Sequence, residues 1–132
     1  MGVNFDSLPK ILAIDFDGTL VNDEYPEIGA FRDEFVDLCK LWKSKGNKLI
    51  LWTSRCDMFD RNYLTEAVKL CKYIGLEFDA VNENIQEVKE LTGMDTRKVY
   101  ADFYLDDRNL DLIEVQKYLK LKNKVCVCEN QL

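Results

Sequence analysis

The chain has 132 residues, enough for one globular domain, and carries a formal net charge of −6 with no histidine at all. The missing histidine excludes Ser-His-Asp triads, Cys-His pairs and every histidine-bearing zinc site. The acidic balance argues against non-specific nucleic-acid binding, and apolar runs as short as Leu49-Ile50-Leu51-Trp52 fall far below the ~20 residues of a membrane helix.

Short apolar runs alternate with amphipathic stretches along the whole chain. Ile11-Leu12-Ala13-Ile14 reads as a buried strand. After a loop through Tyr25-Pro26, the stripe Ile28, Phe31, Phe35, Leu38, Trp42 predicts one helix face, stopped at Gly46. Lys48 to Trp52 reads as the second strand, ending at Thr53. Leu64, Ala67, Val68, Cys71 and Ile74 mark a second helix, stopped by Gly75. Phe78 to Val81 reads as a third strand, and Asn84 with Glu87 three residues on is a capping signature for a helix through Leu91. Val99 to Leu105 predicts a fourth strand, Leu112, Val115 and Leu119 a last helix, and Val125 to Cys128 a last strand.

Strand and helix in strict alternation imply a three-layer, Rossmann-like α/β fold: a parallel sheet of about five strands with helices on both faces, as one domain over residues 1–132. Such sheets bind ligands beyond the carboxyl ends of their strands. The first strand delivers Asp15, Asp17, Gly18 and Thr19 to that rim, and the second delivers Thr53, Ser54 and Arg55. The third delivers Asn82, Glu83 and Asn84, and the fourth Asp106 and Asp107.

Carboxylates gathered at one rim repel each other, and a hard divalent cation with oxygen ligands is their natural compensation. Magnesium also suits phosphate, which it binds through a few carboxylates and the substrate's own oxygens. In Asp15-x-Asp17 the first carboxylate can be both metal ligand and nucleophile on phosphorus. The second can reach the leaving-group oxygen as general acid, then serve as base for water, given a raised pKa supplied by nearby negative charge. Gly18 permits a tight turn that Thr19 can lock, Thr53 and Ser54 offer hydroxyls, and Arg55 offers charge-assisted bonds to phosphate. A calcium loop beginning at Asp15 needs Glu at its twelfth position, which is Pro26 here. A response-regulator receiver needs its phosphorylated Asp after the third strand, where this chain has Val81-Asn82.

With these motifs the sequence resembles the haloacid dehalogenase superfamily of phosphohydrolases. Ile11 to Thr19 matches its opening signature, Leu49 to Thr53 its second strand, and Phe103-Tyr104-Leu105-Asp106-Asp107 its late acidic motif. The resemblance implies a phosphomonoester hydrolase with Asp15 as nucleophile, Asp17 as acid/base and Thr53 on the phosphoryl group. It implies magnesium held by Asp15, the backbone carbonyl of Asp17, and Asp106 with Asp107 nearby. The connections are too short for a cap domain, so the site is expected to be open. The resemblance links open sites to large phosphorylated substrates, such as protein or polynucleotide ends, or to closure by a neighbouring subunit in a homo-oligomer. The expected partner is a phosphorylated substrate, either a small molecule or an exposed phosphate on a macromolecule.

The superfamily also uses a lysine upstream of the late acidic motif. Lys98 is the tempting choice, but an extended strand from Val99 to Leu105 would set it about 25 Å from Asp106, at ~3.3 Å per residue. Arg55 and Lys89 are the other candidates. Without that lysine, a non-catalytic or weakly active phosphate- or metal-binding module is the alternative reading. Five cysteines in scattered spacing suit reduced thiols, with Cys39 and Cys71 on apolar helix stripes and Cys126 and Cys128 on one strand face. The N-terminal residues lack a secretory signal, so a cytoplasmic location is expected.

Overall fold

The computed structural model describes residues 4–120. A short 3-10 turn, Phe5–Ser7, leads into β1 (Ile11–Ile14), followed by α1 (Asp33–Ser44), β2 (Lys48–Leu51) and α2 (Tyr63–Tyr73). Then come β3 (Ala80–Val81), α3 (Gln86–Thr92), β4 (Phe103–Leu105) and α4 (Leu112–Tyr118). The strands form one parallel sheet in the order β3-β2-β1-β4. A strand buried on both faces should be apolar throughout, and every residue of β1 is apolar and buried.

Because successive strand side chains point to opposite faces, β1 and β2 feed two separate cores. Leu12, Ile14, Leu49 and Leu51 pack with Val36 and Cys39 of α1 and Ala67 and Cys71 of α2. Ile11, Ala13 and Ile50 pack on the other side with Ile85, Val88 of α3, and Val99. These are the three layers expected from the alternation of elements. No cap interrupts the described residues, since only residues 15–32 join β1 to α1 and only residues 52–62 join β2 to α2. The strand expected at Val125–Cys128, with Cys126 and Cys128, lies outside the described residues.

Four local expectations change. The first helix begins at Asp33, so Ile28 and Phe31 precede it, with Phe31 bridging to Val21, yet both still pack against the core. Within that helix Phe35, Cys39 and Trp42 pack against the core as expected, while Leu38 is 44% exposed and Val36 takes an inward place instead. Asn84 does not cap α3. Its buried amide donates to Asp95 Oδ1 (2.9 Å) and accepts from the Tyr100 backbone (2.6 Å), while Ile85 stands at the helix start.

The fourth change bears on the site. β4 is only Phe103–Leu105, and residues 99–102 do not extend it. The Tyr104 hydroxyl donates to the Val99 carbonyl at 2.7 Å, which a straight strand over both residues would forbid. No helix among the described residues is long and apolar enough to cross a membrane.

Candidate functional site

The parallel register sets the site. Ile14 pairs with Leu51 on one side and Leu105 on the other, so the three strands end level. The ladder continues one step further, with Trp52 N donating to Ile14 O (2.9 Å) and Asp15 N donating to Leu105 O (3.0 Å). Asp15 therefore emerges beside Asp106 and Asp107, and carboxylate oxygens of all three lie within 4.8 Å of one another.

So much negative charge in a half-buried setting disfavours ionisation. Burial pushes the Asp15 carboxyl up to about 7, helped by its hydrogen bond with Asp107 and by the charge of Asp106. Asp107 is held in place from the other side. Gly18 has φ +84°, and a Cβ there would stand 2.2 Å from Asp107 Oδ2, so the approach requires glycine. Arg32 donates to the Gly18 carbonyl (2.8 Å), and the buried Thr19 hydroxyl donates to Asp15 Oδ2 (3.3 Å). Three converging carboxylates are hard oxygen donors of the kind that hold a divalent cation.

Asp17 and Arg55 depart from expectation. Arg55 is 1% exposed and grips Asp17 with a two-pronged bond, Nε to Oδ2 at 2.7 Å and Nη2 to Oδ1 at 2.8 Å. Its other donors go to the carbonyls of Glu27 (3.1 Å) and Tyr63 (3.3 Å). Arg55 is thus a buried partner of Asp17, with four of its five N–H donors engaged inside the protein. The neighbour of the Asp17 carboxylate is a cation, where negative charge was expected, and Asp17 stands apart from the three-carboxylate cluster.

Thr53 and Ser54 fit better. The Thr53 amide donates to the Asn82 side chain (2.8 Å), and its oxygen accepts from the Arg55 amide (3.1 Å), leaving the hydroxyl hydrogen to donate elsewhere. Ser54 is exposed and, with Asp15, Asp17 and Asp106, lines a cavity of about 600 Å³. The far side of that cavity is formed by Asp23, Tyr25 and Arg108, none of which the motif reading singled out. Arg108 immediately follows the acidic pair, which was its one signal in the sequence.

Of the three candidate cations, Arg55 is committed to Asp17, and Lys89 pairs with Glu83 and reaches Asp95 at 4.0 Å. Lys98 is exposed, its ammonium lies 5.1 Å from the Tyr104 ring, and it lines a cleft of about 380 Å³ together with Asp106, Trp52 and Asn109. The separation of about 25 Å expected for an extended strand does not apply, because the chain before Phe103 turns back instead of running straight.

The fold is shared with a solved structure, that of a conserved protein from Bacteroides thetaiotaomicron. It is 34% identical, matches 94% of this chain and all of its own, and superposes with a TM-score of 0.65. The chain belongs to that protein's family. No protein-family model and no curated protein matches it.

Two outcomes follow from the electrostatics. A carboxyl raised above its ordinary 3.8 favours the fold while protonated; this contribution is complete below 3.8 and is lost as pH rises through about 7. A divalent cation must displace that proton, so magnesium should raise the melting temperature more at pH 8 than at pH 5.5; equal shifts would remove Asp15 from the metal site. Arg55→Met should cost about 3–5 kcal/mol by stranding Asp17, measured by denaturant unfolding. Adding Asp17→Asn should recover part of that loss, and no recovery would mean that the pair is not the cause.

Proposed function

We propose that the chain is a magnesium-dependent phosphomonoester hydrolase working through an aspartyl phosphate on Asp15. The observation that carries this reading is the convergence of Asp15, Asp106 and Asp107 at the end of the sheet, with the Thr53 and Ser54 hydroxyls on the next strand end. The resemblance of residues 11–111 to the haloacid dehalogenase superfamily supports the same reaction. A bound magnesium ion would neutralise the carboxylates and draw charge from the phosphoryl oxygens.

In this reading Asp15, freed of its proton, attacks phosphorus in line while the ester oxygen departs. Thr53 and Ser54 donate to the phosphoryl oxygens, and Lys98, which lines a cleft together with Asp106, supplies the cation, Arg55 being buried against Asp17. Asp17 lines the same cavity as Asp15 and protonates the leaving oxygen, which requires its carboxylate to turn from the Arg55 fork. Water then attacks the aspartyl phosphate, Asp17 takes its proton, and phosphate leaves with Asp15 restored. The non-catalytic alternative drew on the lack of a cation at the rim, and the shared cleft of Lys98 and Asp106 favours the hydrolase reading over it.

Hydrolysis of p-nitrophenyl phosphate in the presence of magnesium tests the proposal. Asp15→Asn should lower turnover by at least ~10³-fold, and turnover that survives it sinks the nucleophile assignment. Lys98→Ala should cost ~10²-fold in kcat/KM. Unchanged kinetics there would return the role to another side chain without touching Asp15.

A further inference from the structure

The cavity above the carboxylates is several times larger than a phosphoryl group needs, and at about 600 Å³ it falls in the range of small-molecule sites. In the hydrolase reading, that excess space is available to the leaving group. Among the described side chains lining it, Tyr25 is the one aromatic ring; the others are carboxylates, a hydroxyl and a guanidinium. Any apolar face that enters must therefore rest on Tyr25.

Tyr25 is 52% exposed, yet its ring is braced from behind. The Arg55 guanidinium carbon lies 5.0 Å from the ring centroid, and the Tyr63 ring lies 6.0 Å away, tilted at 37°. Arg55 is itself fixed by Asp17 and by two carbonyls, so the buried group that orients Asp17 also holds the ring. A rigid aromatic surface loses little entropy on stacking. Across the cavity mouth, Arg108 and Asp23 form a long, exposed pair at 3.9 Å. Such pairs are weak, so a ligand can separate them and find one donor and one acceptor.

We infer that the site takes nucleoside monophosphates, the base stacking on Tyr25 and its polar edge meeting Arg108 and Asp23. A nucleobase offers the planar face and the mixed donor–acceptor edge that these three residues complement. The inference rests on the hydrolase reading above and adds to it the identity of the leaving group.

Adenosine and uridine 5′-monophosphates, compared with ribose 5-phosphate, test it, because all three present the same primary phosphate ester and differ in the base. Base stacking on an aromatic side chain should give the wild-type protein about a 10- to 100-fold preference in kcat/KM for the nucleotides. Tyr25→Phe should keep that preference, and Tyr25→Leu should reduce it to within about threefold, the stacking contribution being lost. Each preference is a ratio within one variant, so any loss of folded protein cancels. Equal kcat/KM on nucleotide and sugar phosphate, or a preference that Tyr25→Leu leaves intact, overturns the inference while the hydrolase reading stands. If wild-type protein with magnesium hydrolyses none of the three esters, nor p-nitrophenyl phosphate, the hydrolase reading fails and takes the inference with it.

Discussion

The register of β1 against both its neighbours governs the chemistry of this protein. With Ile14 beside Leu51 and Leu105, backbone hydrogen bonds deliver Asp15 and Asp106 to the same level whatever their charges prefer. Two carboxylates at such separations repel by roughly 3 kcal/mol at an effective dielectric constant near 20. In water they would drift apart, but here the sheet does not let them. One proton on Asp15 relieves the repulsion, and so would one divalent cation. Burial raises the Asp15 carboxyl first, and the enforced proximity of Asp107 and Asp106 adds to it while bringing together oxygens that could hold a cation.

Asp15 and Asp17 are two residues apart and chemically identical, and their surroundings separate them. Asp15 faces other carboxylates. Asp17 faces a guanidinium that is almost wholly buried and flanked by the rings of Phe16, at 5.2 Å, and Tyr25, at 5.0 Å. A buried arginine is tolerable when most of its donors are satisfied, and one carboxylate and two carbonyls engage four of the five on Arg55. Those carbonyls belong to Glu27, in the connection after β1, and to Tyr63, at the start of α2. One side chain thereby ties together the two connections that wall the cavity, which is a structural duty that phosphate binding would have interrupted.

The alternation of elements and the carboxylate rim were legible in the sequence because they depend on periodicity and on where strands end. Ile11 to Ile14 could hardly be anything but a central strand, and Asp15, Asp106 and Asp107 meet as the strand-end rule requires. What was not legible is the direction in which a rim side chain turns. Arg55 occupies a rim position but folds inward, because Asp17 is within reach and the rings beneath accept a flat cation. Lys98 was misplaced for a different reason. Treating Val99 to Leu105 as one extended strand ignored the pull of Asn84, which anchors Asp95 and Tyr100 and bends the chain before Phe103. Apolar residues in sequence gave no sign of that side-chain tether.

Net charge averaged over the chain also hides how charge is distributed around the site. Averaged over the chain the balance is −6, which suggests a surface that repels phosphate. Around Asp106 the distribution is different. This residue lines both clefts, with Arg108 beside it in the larger and Lys98 beside it in the smaller. Both cations are exposed, on segments adjoining β4, and each shares a cleft with Asp106. An approaching anion within a Debye length, ~8 Å at physiological ionic strength, responds to those neighbours more than to distant surface acids. An acidic protein can therefore admit a small phosphorylated ligand while excluding an extended polyanion, whose further charges would lie against the rest of its surface.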